Sequence, residues 1–139
     1  GERFTLRVVA KLADGWNSPG SFERYAKKLE VLKRHCRKVG RDFKDIKLSW
    51  SAWVILSSDR NKVAEFQPKY IQNLDDFIET YLIGNPNQCI RKMQQFVDLG
   101  VTDFELVFPD TFPKDKGRRV SSLETIQSFA ELVLPQFNS

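Results

Sequence analysis

Apolar residues recur along this chain at two spacings, every three to four positions and every second position, and the two patterns alternate. From Arg3 to Leu12, Phe4, Val8, Val9 and Leu12 share one helical stripe, which Ala13-Asp14-Gly15 stops. Gly15-Trp16-Asn17 then reads as a very short strand and Ser18-Pro19-Gly20 as a turn. Ser21 is an N-cap for the next helix, in which Phe22, Tyr25, Ala26, Leu29, Leu32 and Cys36 follow at spacings of three and four. Gly40 supplies its left-handed stop. The segment Ile46 to Leu56, IKLSWSAWVIL, changes to the two-residue period. Leu48, Trp50, Ala52, Val54 and Leu56 lie on one face, and Ser49, Ser51, Trp53 and Ile55 on the other, so both faces are expected to be covered.

Beyond that strand, Ser57-Ser58-Asp59 opens a helical region that Pro68 divides into two short helices, the second running through Tyr70, Leu74, Phe77, Ile78 and Leu82. Asn85 caps a further helix with Pro86 at its first position and Ile90, Met93, Phe96 and Val97 on its apolar stripe, and Gly100 ends it. A short strand over Asp103 to Phe108 stops at Pro109-Asp110. A polar loop, TFPKDKGRRVS, leads to a last helix with a capping box at Ser121 and Glu124, which Pro135 closes. Strands separated by helical crossovers pair in parallel, which predicts an α/β fold. Only three strands are visible, and a three-stranded sheet keeps two unpaired edges, so the chain reads as part of something larger.

Composition narrows the class. The 139 residues fit a single domain spanning 1–139, with 41% hydrophobic and 29% charged residues. No apolar run approaches the roughly 18 residues needed to cross a bilayer. Cys36 and Cys89 have no metal-type spacing and no basic, apolar leader opens the sequence, so reduced thiols, a cytoplasmic setting and no metal are expected. The net charge of +4 is concentrated between Glu23 and Lys47, where ten Lys or Arg face four acids. Such a stripe suits nucleic acid, but without interleaved aromatics it reads better as a solvated helix face.

The opening GERFTLRVVAKLADGWN is similar to a recurring segment of the luciferase-like monooxygenase superfamily, the flavin- or coenzyme F420-dependent (β/α)8 barrels. KLEVLKRHCRKVGRDFKDIKLS, IGNPNQCIRKMQQFVDLGVTDFELVFPD and FAELVLPQF continue the resemblance in order, with a G-N-P helix start where relatives more often carry G-[ST]-P. The resemblance implies the C-terminal half of a TIM (β/α)8 barrel, about helix five to helix eight, with parallel strands and crossover helices. It makes GERF an internal stretch and the N-terminal half of the barrel a missing partner.

The same resemblance implies an oxidoreductase that uses coenzyme F420 or FMN on a small organic substrate, either exchanging a hydride or activating oxygen. Gly1, Glu2, Arg3 and Thr5 would stand at a helix N-terminus suited to the cofactor phosphate. Trp16 and Asn17 would line a cofactor or substrate edge, although a tryptophan there is as often core. For Glu2, Thr5 and Arg3, capping and solvation are the competing roles. Asp59 reads as an N-cap, and Asp110 with Lys114, Lys116, Arg118 and Arg119 as solvated loop charge or a rim for an anion. No nucleophile stands beside a base, in keeping with chemistry that belongs to a cofactor. The alternative is a non-catalytic half-barrel module that covers its open edges by pairing with a second copy.

Overall fold

The computed structural model describes residues 2–109 and 122–137. Helix α1 (Glu2–Leu12) leads into β1 (Gly15–Pro19), α2 (Phe22–Val39) and a 3-10 turn at Phe43–Asp45. The long strand β2 (Lys47–Ile55) follows, then α3 (Arg60–Ala64), α4 (Leu74–Thr80), the two-residue β3 (Leu82–Ile83), α5 (Pro86–Asp98), β4 (Val101–Val107), α6 (Ser122–Leu132) and a 3-10 turn at Leu134–Gln136. All pairings are parallel. Strand β2 is central, flanked by β1 and β4, with β3 added at its C-terminal end through Val54↔Leu82 and Ile55↔Ile83. The chain is thus an α/β fold with an open parallel sheet.

The helix ends obey the local chemistry. Ser21 accepts from the Arg24 amide, Asp59 from Asn61 and Lys62, and Asn73 from Asp75 and Asp76. Asn85 and Gln88 form a reciprocal capping box on α5, each side chain accepting from the other's amide at 2.8–2.9 Å. Gly84, just before it, has φ +153°, and a Cβ there would sit 2.7 Å from Gln88 Oε1 and 2.8 Å from Gln88 Cβ. Gly84→Ala is therefore expected to cost about 2 kcal/mol through backbone strain and loss of the box. A urea titration measures this, and an unchanged midpoint would mean that Gln88 moves aside freely.

One face of the sheet carries the main core. Trp16, Leu48, Trp50, Ala52 and Val54 are buried there beneath Tyr25, Leu29 and Leu32 of α2, Met93 and Phe96 of α5, and Phe129 of α6. Trp50 stacks on Phe96 with ring centroids 4.0 Å apart, and its indole N–H donates to the Gly20 carbonyl at 2.9 Å. A second, smaller cluster joins Ile55, Val63, Phe77 and Ile83, with Trp53, Leu74 and Tyr81 packed on it.

Several sequence expectations are corrected. The stripe Phe4, Val8, Leu12 points outward, at 70%, 40% and 78% exposure, while Leu6 and Ala10 are buried. Helix α1 presents Leu6 and Ala10 to the core, with Val9 of the predicted stripe partly buried beside them. Ser18 and Pro19 continue β1, because register with Trp50 and Ser51 holds them extended; they do not form a turn. Leu82 belongs to β3 rather than to a helix, and Tyr70 lies in a turn. The described residues hold four strands, and β4 starts two residues before Asp103. The polar loop and the Ser121 half of the last capping box lie outside the described residues, as does Asp110.

Candidate functional site

The sheet face turned away from the helices is polar in its first half and apolar in its second. Side chains alternate across a strand, so the outward set is Asn17 and Pro19 from β1, Ser49, Ser51 and Trp53 from β2, and Asp103, Glu105 and Val107 from β4. The register sets Asn17 beside Ser49 and Asp103, Pro19 beside Ser51 and Glu105, and Trp53 beside Val107.

Three of these residues from three strands share one hydrogen-bond network. Asn17 Nδ2 donates to Ser51 Oγ at 2.5 Å and to Glu105 Oε2 at 2.9 Å, and Ser51 Oγ donates to the same Glu105 oxygen at 3.1 Å. The amide nitrogen must face the carboxylate, so the Asn17 oxygen turns away. Asn17 and Glu105 are exposed and Ser51 is half-buried. Above the network Trp53 stacks on Tyr81 at 5.3 Å and meets Phe77 edge-on at 6.4 Å. Burial is the main cause that raises the Tyr81 phenol to about 12, so it stays protonated at neutral pH.

Two nearby features are structural. Lys92 of α5 donates to the carbonyls of Ile78, Glu79 and Tyr81 at 2.5–2.9 Å, closing the end of α4, and burial lowers its ammonium to about 8. Both cysteines are buried, and burial raises their thiols, Cys89 to about 11, which leaves them poor nucleophiles. A concavity lined by Phe43, Ile46, Gly100 and Thr102 opens at the N-terminal ends of β2 and β4, the end opposite to where barrel enzymes react. Among the described residues no three His, Cys, Asp or Glu side chains are grouped to hold a metal, and no helix is long and apolar enough to cross a membrane.

The residues singled out from sequence fall in different places. Gly1 lies outside the described residues, Glu2 and Arg3 are the first positions of α1, and Thr5 is exposed one turn on. Trp16 is buried on the helix side of the sheet, its ring 4.9 Å from that of Tyr25. Asn17 is on the opposite face, so the structure does not bring the two together. Ser51 and Glu105 were not among the candidates, because their meeting with Asn17 depends on pairing across 34 and 88 residues of chain.

No protein-family profile matches this chain, and no curated protein matches it. Solved structures do. A coenzyme F420-dependent tetrahydromethanopterin reductase from Methanopyrus kandleri superposes with a TM-score of 0.70 at 15% identity, over 98% of this chain and 49% of its own. An F420-dependent secondary alcohol dehydrogenase, solved with an F420-acetone adduct, gives 0.72 at 15% identity over 99% and 47%. The long-chain alkane monooxygenase LadA gives 0.59 at 18% identity over 95% and 38%. The chain thus spans about half the length of the first two. At these identities the likeness is one of fold alone, an α/β arrangement with parallel strands.

Proposed function

We propose that this chain is the C-terminal half of a luciferase-like (β/α)8 barrel, and that the whole protein is an oxidoreductase using coenzyme F420 or FMN on a small organic substrate. The observation that carries this is near-complete coverage of the chain by oxidoreductases of about twice its length. An open parallel sheet with helices on one face is consistent with half of a barrel wall. The face bearing Asn17, Ser51 and Glu105 would then line the interior.

On this reading Gly1, Glu2, Arg3 and Thr5 hold the cofactor phosphate. The first-turn amides of α1 and the positive end of its dipole suit an anion, and Arg3 adds charge. Asn17 faces the reaction chamber, and Trp16 supports it from behind as core. The cofactor supplies the redox chemistry, and these residues bind and orient it. The test is equilibrium binding of FMN and of coenzyme F420 to the full-length polypeptide, followed by absorbance. One of the two is expected to bind, and Arg3→Ala to weaken that binding about tenfold, the worth of one charge-assisted hydrogen bond. Binding of neither would sink the proposal.

A second reading is a non-catalytic module that self-associates, favoured by the outward Phe4, Val8 and Leu12 and by the outer edges of β1 and β4, unpaired among the described residues. Sedimentation decides it: a monomer that stays folded at high concentration rules it out.

A further inference from the structure

We propose that α1 is an inner helix of the assembled protein, and that its stripe Phe4, Val8 and Leu12 docks a helix of the polypeptide preceding residue 1. The inference rests on the barrel reading above and deepens it by naming the surface that meets the other half. Three observations carry it.

First, α1 is apolar on two opposite sides. At 3.6 residues per turn Leu6 and Ala10 share one side, and Phe4, Val8 and Leu12 share the side roughly 180° away. The first pair is buried and the second group is exposed. A helix that covers a core and then meets water carries its polar residues opposite the buried side. In α1 the charged Arg7 and Lys11 stand on a flank instead, between the two apolar sides. Such a helix is built to pack between two bodies.

Second, exposed large apolar side chains gather at the two ends of the sheet. Helix α1 leads into the edge strand β1. Helix α6 follows the other edge strand, β4, and exposes Ile126 and Leu132, with Leu134 in the turn beyond. Among the described residues the other exposed large apolar side chains are only Val39 and Tyr70, and α5, over the middle of the sheet, has none. Apolar surface beside bare strand edges marks a place where another body joins.

Third, the size of that body fits. The two F420-dependent enzymes match nearly all of this chain with about half of their own length, so each has a further stretch about as long as this chain. Barrel helices form a closed outer ring, in which the first helix of one half packs beside the last helix of the other.

The test reads accessibility in the full-length polypeptide. Cys36 and Cys89 are buried, so a thiol introduced on α1 reports its own surroundings. Leu12→Cys is treated with a dipyridyl disulfide in native buffer and in urea, beside Arg34→Cys at an exposed position of α2. Position 12 is expected to react at least about 100-fold more slowly in the native protein than in urea, at every protein concentration, and position 34 within about threefold. Val8→Cys, a small change in volume, repeats the measurement if L12C does not fold. The proposal is overturned if position 12 reacts as freely as position 34, or if its protection fades on dilution, which makes a second copy the occupant. Cofactor binding by the same variants keeps the two readings apart. A protein that binds FMN or coenzyme F420 with position 12 open retains the barrel reading and loses this docking surface, whereas protection without binding of either cofactor supports the surface and sinks the proposed activity.

Discussion

Replacing Trp50 with alanine is expected to remove most or all of the stability of this fold. The side chain is wholly buried, stacked on Phe96 and set edge-on to Phe104, so truncation opens a cavity lined by groups from β2, β4 and α5. Such truncations cost about 3–5 kcal/mol. The Gly20 carbonyl also loses its indole donor, at a further cost of about 1–3 kcal/mol if no water replaces it. The sum rivals the roughly 5–15 kcal/mol that holds a typical domain together. Trp50→Phe keeps the stacking surface and loses the hydrogen bond, so it is expected to cost about 1–2 kcal/mol. Urea unfolding followed by circular dichroism ranks the three proteins. A W50A midpoint equal to that of W50F would show that packing on Phe96 contributes little.

Phe77→Ala is expected to act as strongly but more locally. Phe77 is fully buried at the centre of the second cluster, among Ile55, Val63 and Ile83, and touches the rings of Trp53 and Tyr81. Its loss costs the same cluster about 3–5 kcal/mol. That cluster rests on helices of five and seven residues, too short to persist without packing. Residues 57–83 are therefore expected to open first, seen as fast amide exchange there, while amides of α2 and β2 around Trp50 stay protected. Uniform loss of protection across the chain would mean that the two clusters unfold as one.

The sequence was readable where a single short-range rule governs. Ser21, Asp59, Asn85 and Gly40 end helices where cap chemistry places them, and the alternation in β2 separates the buried Leu48, Trp50, Ala52 and Val54 from Ser49, Ser51 and Trp53, which are only half-buried among the described residues, so the expectation that both faces are covered does not hold. It misled where two rules competed. In α1 the predicted stripe Phe4, Val8, Val9 and Leu12 outnumbered Leu6 and Ala10, yet it is Leu6 and Ala10, with Val9 beside them, that pack on the core. In β4 the pairing slips by one residue between Leu48 and Ser49, so Val101 and Phe104 both face the core three positions apart. Simple alternation cannot show this, and the strand reads as starting late. The network on the open face was hidden for a different reason. Asn17, Ser51 and Glu105 are unremarkable polar residues until three strands are set in register.

The central place of β2 has a further consequence, for the order in which the chain acquires structure. Its first neighbour, β1, lies about thirty residues upstream, and its other neighbour, β4, about fifty residues downstream, so the sheet is built on contacts of long sequence separation. Folds of this kind pay loop-closure entropy before pairing rewards it and fold slowly for their size. During synthesis β1, α2 and β2 can dock first as a βαβ unit, with one flank of β2 bare until residues 101–107 leave the ribosome. Among the described strands, β4 is then the last to join the sheet, and it brings Glu105 to Asn17 and Ser51 only at that step.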